Sequence, residues 1–182
     1  MSDATPKTTA DVLSRVDRAW TSLEGTVGSL SPAQLTEVRD PAGWAVKDHL
    51  MHVAAWEDAF VARLEGRPTH EALGLDEATL ALDDDAVNAA IFARHRDRAL
   101  TEVLDALQAS HRAARARLAA LHDRTVAGPA SGVLPPGSED SGFTIDTNRE
   151  RDTTPAGTWI GGNTWEHYDA HHGWIRELVA RG

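Results

Sequence analysis

His167 and His171 stand four residues apart in a stretch of helical character, and His52 lies on a separate predicted helix. A four-residue spacing stacks two imidazoles on one helix face. Completed by a third imidazole from a neighbouring helix, the pair can hold a divalent ion and leave a coordination position free, which a catalytic ion needs. The chain has no cysteine, so disulfides, thiolate metal sites and cysteine nucleophiles are excluded, and histidine and carboxylate remain as the strong ligands. The alternative for His167 and His171 is two polar side chains on the solvated face of the last helix. His172 points about 100° away from His171 and is not expected to share its ion.

Several residues near these histidines in sequence could take part in chemistry. Glu57 and Glu166 are candidates for a general base or for orienting a ligand. Tyr168, the only tyrosine, is a candidate proton donor or an inward-packed side chain with its hydroxyl bonded. Trp44, Trp56 and Trp165 are candidates for the wall of an apolar substrate pocket, against the alternative that they fill the bundle core. His49, one turn before His52, reads as a core histidine or a partner of the ligands. His95 and His111 read as packing or boundary residues.

The elements that must position these groups are helical. Val12, Val16, Ala19, Trp20, Leu23 and Val27 form a stripe on a helix starting near Thr8 or Thr9. Ser31-Pro32-Ala33-Gln34 reads as a capping box with proline at the first helical position. A second amphipathic helix is expected from about Trp44 to Glu65, ended by Gly66 and Pro68, with His52 on the flank of its stripe. Residues 67–83 read as a connector. The acidic run Asp83-Asp84-Asp85 suits the start of a third helix, which is expected to reach His122 with a bend or break before Leu100. Residues 125–157, rich in Gly, Pro, Ser, Thr and Asp, read as one long flexible loop, of the kind that forms functional lids or disordered segments. A last helix begins near Thr158 or Asn163 and runs to Ala180. No strand shows convincing alternation, so the fold class is all-α, a four-helix bundle in a single domain spanning 1–182.

Composition bounds the partners. With 182 residues, 41% of them hydrophobic, the chain is long enough to build a sizeable core unaided. A formal charge of −10 repels phosphate backbones, so no nucleic-acid partner is expected. No apolar run approaches the roughly 18 residues of a membrane span, and the N-terminus lacks a leader pattern. A soluble, cytoplasmic protein without a membrane partner is the expectation. The stripes of helices one and three could pair across subunits, so a homodimer is a further expectation.

The segment Trp44-Ala45-Val46-Lys47-Asp48-His49-Leu50-Met51-His52, continuing to Trp56-Glu57, resembles the second-helix signature of DinB-like four-helix bundles. His167-Tyr168-Asp169-Ala170-His171-His172-Gly173-Trp174-Ile175 resembles the C-terminal HxxxH motif of that family. With Asn88-Ala89-Ala90-Ile91 and Gly162-Asn163-Thr164-Trp165-Glu166, the pattern is similar to the ClbS/DfsB branch. The resemblance implies a bundle of unusual connectivity in which His52, His167 and His171 bind zinc, nickel or another divalent ion. It also implies either thiol-dependent transfer with a low-molecular-weight thiol, or resistance by inactivating a reactive natural product, apparently without metal. Two function classes follow, beside the alternative of a non-enzymatic metal-binding or oligomeric structural module. One is a divalent-metal-dependent hydrolase or thiol S-transferase acting on a small electrophilic or xenobiotic molecule. The other is a resistance protein that binds or hydrolyses its ligand metal-free.

Overall fold

The computed structural model describes residues 4–134 and 152–181. Its helices are α1 Thr9–Ser29, α2 Pro32–Thr36, α3 Val46–Leu64, α4 Thr69–Leu73, α5 Glu77–Leu80, α6 Asp84–His95, α7 Leu100–Ala119, α8 Asp123–Val126, α9 Ala156–Gly162 and α10 Trp165–Ala180. Among the described residues there is no strand, only the isolated bridges Arg39–Ala45 and Pro129–Pro155. No described helix is long and apolar enough to cross a membrane.

Local chemistry sets the helix starts. Thr8 caps α1 by accepting from the Asp11 amide at 3.1 Å. Ser31 and Gln34 close the expected capping box of α2, each side chain serving the other's backbone amide. Asp48 reaches back to the Ala45 amide at 2.8 Å and starts α3. Asp83 caps α6 through the Ala86 amide at 2.9 Å, as the acidic run suggested.

The long helices α1, α3, α7 and α10 form the bundle, and the pairing of their side chains gives its directions. Asp17 meets Arg115 and Glu24 meets Gln108, so α1 and α7 are antiparallel. Ser110 meets Glu57 and Arg117 meets Glu65, so α3 and α7 run parallel. His167 meets His52 while Asn163 meets Arg63, so α10 is antiparallel to α3. Arg15, Trp20 and Thr26 meet Trp165, Tyr168 and His172 in the same order, so α1 and α10 run parallel. The order is up–down–down–up, and the parallel pair α3/α7 requires the long excursion through α4, α5 and α6.

That excursion changes α3. A one-sided amphipathic helix was expected, but every residue from Val46 to Leu64 except Asp58 is buried. The face expected to meet water is covered by α4 and α6. The expected connector 67–83 accordingly contains α4 and α5, each too short to show a period. The break before Leu100 is present between α6 and α7. The stripes of α1 (Val12, Val16, Ala19, Trp20, Leu23) and α7 (Val103, Leu107, Ala114, Leu118) are spent in this chain's own core, so they no longer argue for pairing across subunits.

The expected loop 125–157 is shorter than composition suggested. α8, a 3₁₀ turn at Ala130–Gly132 and α9 occupy its flanks. Ala130 donates to the Thr154 carbonyl at 2.8 Å and Ala156 to the Gly128 carbonyl at 2.9 Å, which clips the two flanks together. The remainder of the expected lid, 135–151, lies outside the described residues. The last helical stretch is two helices, because Asn163 and Thr164 turn their side chains back onto the carbonyls of Trp159 and Ile160.

Candidate functional site

The antiparallel α3 and α10 bring His52, His167 and His171 together. One ring nitrogen from each lies within 4.8 Å of the other two. The Nε2 atoms of His52 and His167 are 3.2 Å apart, and His171 centres its ring 4.7 Å from both others. His52 and His171 are buried and His167 is half-buried. Burial, with His167 and His49 nearby, pushes the His52 imidazole down to about 3. Burial pushes His167 down to about 4, and burial plus the neighbouring rings holds His171 well below the ordinary range. All three are therefore neutral near pH 7, the form that ligates a metal.

The Nδ1 atoms of His52 and His171 are buried and meet no hydrogen-bond partner among the described residues. Three clustered imidazoles, two of them with an unmatched Nδ1, and no carboxylate paired with them among the described residues, fit the donor set of a divalent ion.

The cluster forms one wall of a cavity of about 590 Å³ between α3, α6 and α10. Trp44 and Trp56 line it. Trp44 is placed by a tight turn. Asp40 accepts from the Trp44 amide through Oδ1 at 2.9 Å, and Gly43 closes the turn at φ 89°, where a side chain would be strained. Trp56 donates through Nε1 to Asn88 Oδ1 at 3.1 Å. Arg63 sits 5.8 Å from the Trp56 ring and donates to Asn163 Oδ1 at 3.0 Å, which ties the opposite wall to α3.

Phe92, Trp174, Asp85 and His49 are among the lining residues not singled out from sequence as pocket groups. Phe92 stacks on Trp44 at 5.0 Å from the outer helix α6. Trp174, 53% exposed, stands edge-on to His171 at 4.7 Å and forms the rim. Asp85, taken from sequence as part of a helix cap, also reaches the cavity. His49 lines it too, with Nε2 3.3 Å from Asp40 Oδ2 and a buried Nδ1 that meets no partner among the described residues. Burial lowers its imidazole although Asp40 opposes the shift. Sequence carried a signal for two of these, the helical phase of Trp174, three residues after His171, and that of His49, three residues before His52.

The other sequence candidates lie elsewhere. Trp165 packs on Gly161 and under Arg15, on the α1 side of α10. Glu166 is exposed beside Gly161 and lines no part of this cavity. Glu57 and Tyr168 are fully buried in the bundle centre and bonded to each other. His111, expected to be a packing residue, joins them, and His172 turns to Thr26 at 2.8 Å.

The sequence matches the family model of the DinB superfamily over residues 15–175. Among solved structures, the chain is similar to the crystal structure of an uncharacterised protein from Escherichia coli UTI89, with TM-score 0.68, 15% identity, and coverage of 98% of this chain and 96% of that one. It is also similar to DfsB, described as a sibling lethal factor precursor, with TM-score 0.66, 13% identity and 96% of each chain covered. At those identities the likeness is one of fold. Among curated proteins, none matches significantly.

Proposed function

The chain belongs to the DinB superfamily, and on that premise we propose that it is a divalent-metal-dependent enzyme acting on a small, largely apolar electrophile. The observation that carries this reading is the three imidazole nitrogens gathered within 4.8 Å on the wall of an aromatic cavity of about 590 Å³. His52, His167 and His171 would hold the ion, zinc or nickel by the nature of an all-imidazole set. Bound there, the ion supplies Lewis-acid polarisation of a substrate oxygen.

The protein's own groups do the rest. Trp44, Phe92, Trp56 and Trp174 bind the apolar body and exclude water. Asn88, fixed through Oδ1 by Trp56, keeps its amide N–H groups for a polar substituent. His49 can take up a proton at Nδ1 while Nε2 donates to Asp40, the arrangement by which a carboxylate fixes an imidazole tautomer. His49 lines the cavity while Glu57, Glu166 and Tyr168 do not, which favours His49 over them as the proton acceptor. Among the described residues, Asp85 is the only acidic one lining the cavity, and no lysine or arginine lines it. That lining favours hydrolysis over transfer to an anionic low-molecular-weight thiol.

The test is metal content of untagged protein, wild type against His52→Ala and His171→Ala. About one ion per chain in wild type, lost in both variants with helicity retained, is the expected result. No ion at purification, and none taken up from added zinc, nickel or manganese, would overturn the metal-dependent reading in favour of metal-free binding of a reactive compound in the same cavity.

A further inference from the structure

The centre of the bundle holds a second cluster of functional side chains, away from the histidine cavity. Tyr168 on α10 donates its hydroxyl proton to Glu57 Oε1 on α3. The same tyrosine oxygen lies 3.1 Å from His111 Nδ1 on α7, placed to accept from it. Ser110 on α7 donates to the other carboxylate oxygen, Glu57 Oε2, at 2.7 Å. Trp20 on α1 stacks on the His111 ring at 3.8 Å and 2° and meets Tyr168 edge-on at 5.8 Å. All four long helices contribute, and Glu57, Tyr168, Ser110 and His111 are each buried.

None of these residues lines the histidine cavity, so they cannot reach a substrate there. They are instead mechanically close to the ligands. Glu57 lies five residues after His52, about 7.5 Å along the same helix, and Tyr168 lies between His167 and His171 in sequence. Apolar packing tolerates a small slide or rotation of one helix on another, whereas directional hydrogen bonds in a dry core do not. A metal site tolerates errors of only about 0.2 Å in ligand distance. We infer that the Glu57–Tyr168–His111–Ser110 network is a positioning device, which locks α10 to α3 through α7 and thereby sets the spacing of His52, His167 and His171. This rests on the reading of those histidines as a ligand set. Glu57 and Tyr168 are then positioning residues that act through the imidazoles.

The experiment compares wild type, Tyr168→Phe, Glu57→Gln, Glu57→Leu and Leu118→Ala. Leu118 is fully buried on α7 and belongs to no part of the network, so its variant reports simple destabilisation. Each folded variant, checked by circular dichroism, is titrated with zinc against a chelator and with cobalt for its visible absorption. The expected result is a loss of zinc affinity of at least about tenfold in Tyr168→Phe and Glu57→Leu, with an altered cobalt spectrum. Glu57→Gln, which keeps an acceptor for Tyr168, recovers part of that affinity. Leu118→Ala lowers the melting temperature with affinity within about twofold of wild type. Equal losses in Tyr168→Phe and Leu118→Ala, or no loss in Tyr168→Phe, would overturn the inference. If wild type takes up no metal, the ligand reading fails by itself, and histidine NMR decides the rest. Ring resonances of His52 and His167 that shift in Tyr168→Phe but not in Leu118→Ala support positioning, and unchanged resonances overturn it.

Discussion

Burying three neutral imidazoles ties stability to acidity. In the unfolded chain each histidine protonates near its ordinary value of about 6.5, while in the fold His52 and His167 stay neutral down to about 3 and 4. Between those limits the unfolded state binds more protons, so the metal-free protein loses stability as pH falls, and the contribution is complete only above about 6.5. Each such group contributes a slope of up to about 1.4 kcal/mol per pH unit. Urea unfolding of chelator-treated protein at pH 7, 6 and 5 is expected to show this decline, reduced in His52→Ala, and a flat profile would show that the imidazoles are not held neutral. The histidine cluster itself was legible: His167 and His171 by their four-residue spacing, His52 by its motif. Glu57 lies away from the cavity because five residues past His52 turn its side chain about 140° around α3, toward α7. Trp165 lies in the core away from the cavity for a similar reason, since two residues before His167 rotate it about 160° away, toward α1.

The individual helices carry the next set of expectations. Gly25 sits inside α1 with open space where a side chain would go, so Gly25→Ala should stabilise the fold by about 0.5–1 kcal/mol through helix propensity. At Gly161, a Cβ would come 2.5 Å from the Trp165 ring and 3.0 Å from Glu166 Oε1. Gly161→Ala should therefore destabilise by about 1–3 kcal/mol through overpacking of the α9–α10 junction. Opposite shifts of melting temperature in the two variants check both arguments. The starts of α1 and α2 were readable because their caps are local, Thr8 with Asp11 and Ser31 with Gln34. The all-round burial of α3 was not, because it depends on α6 returning across it from about thirty residues away in sequence.

At the scale of the molecule, helices α1, α3, α7 and α10 contribute to one apolar cluster that also takes in Leu73 of α4, Leu80 of α5 and Ile91 of α6. Heat unfolding should accordingly be a single cooperative event, with calorimetric and van't Hoff enthalpies equal; an excess calorimetric enthalpy would mark α4–α6 as a separately melting unit. The up–down–down–up order was not deducible from helix periodicity, since α3 and α7 could have been antiparallel neighbours until the side-chain pairs fixed their direction. The aromatic wall has an optical consequence. Three of the six tryptophans, Trp44, Trp56 and Trp174, border the same cavity, and the rim residue Trp174 is half open to water. A compound that settles there displaces solvent from an indole and must alter the ultraviolet-excited emission of the protein. The molecule thus carries its own label-free fluorescent reporter, and a library can be screened for ligands before any reaction is known.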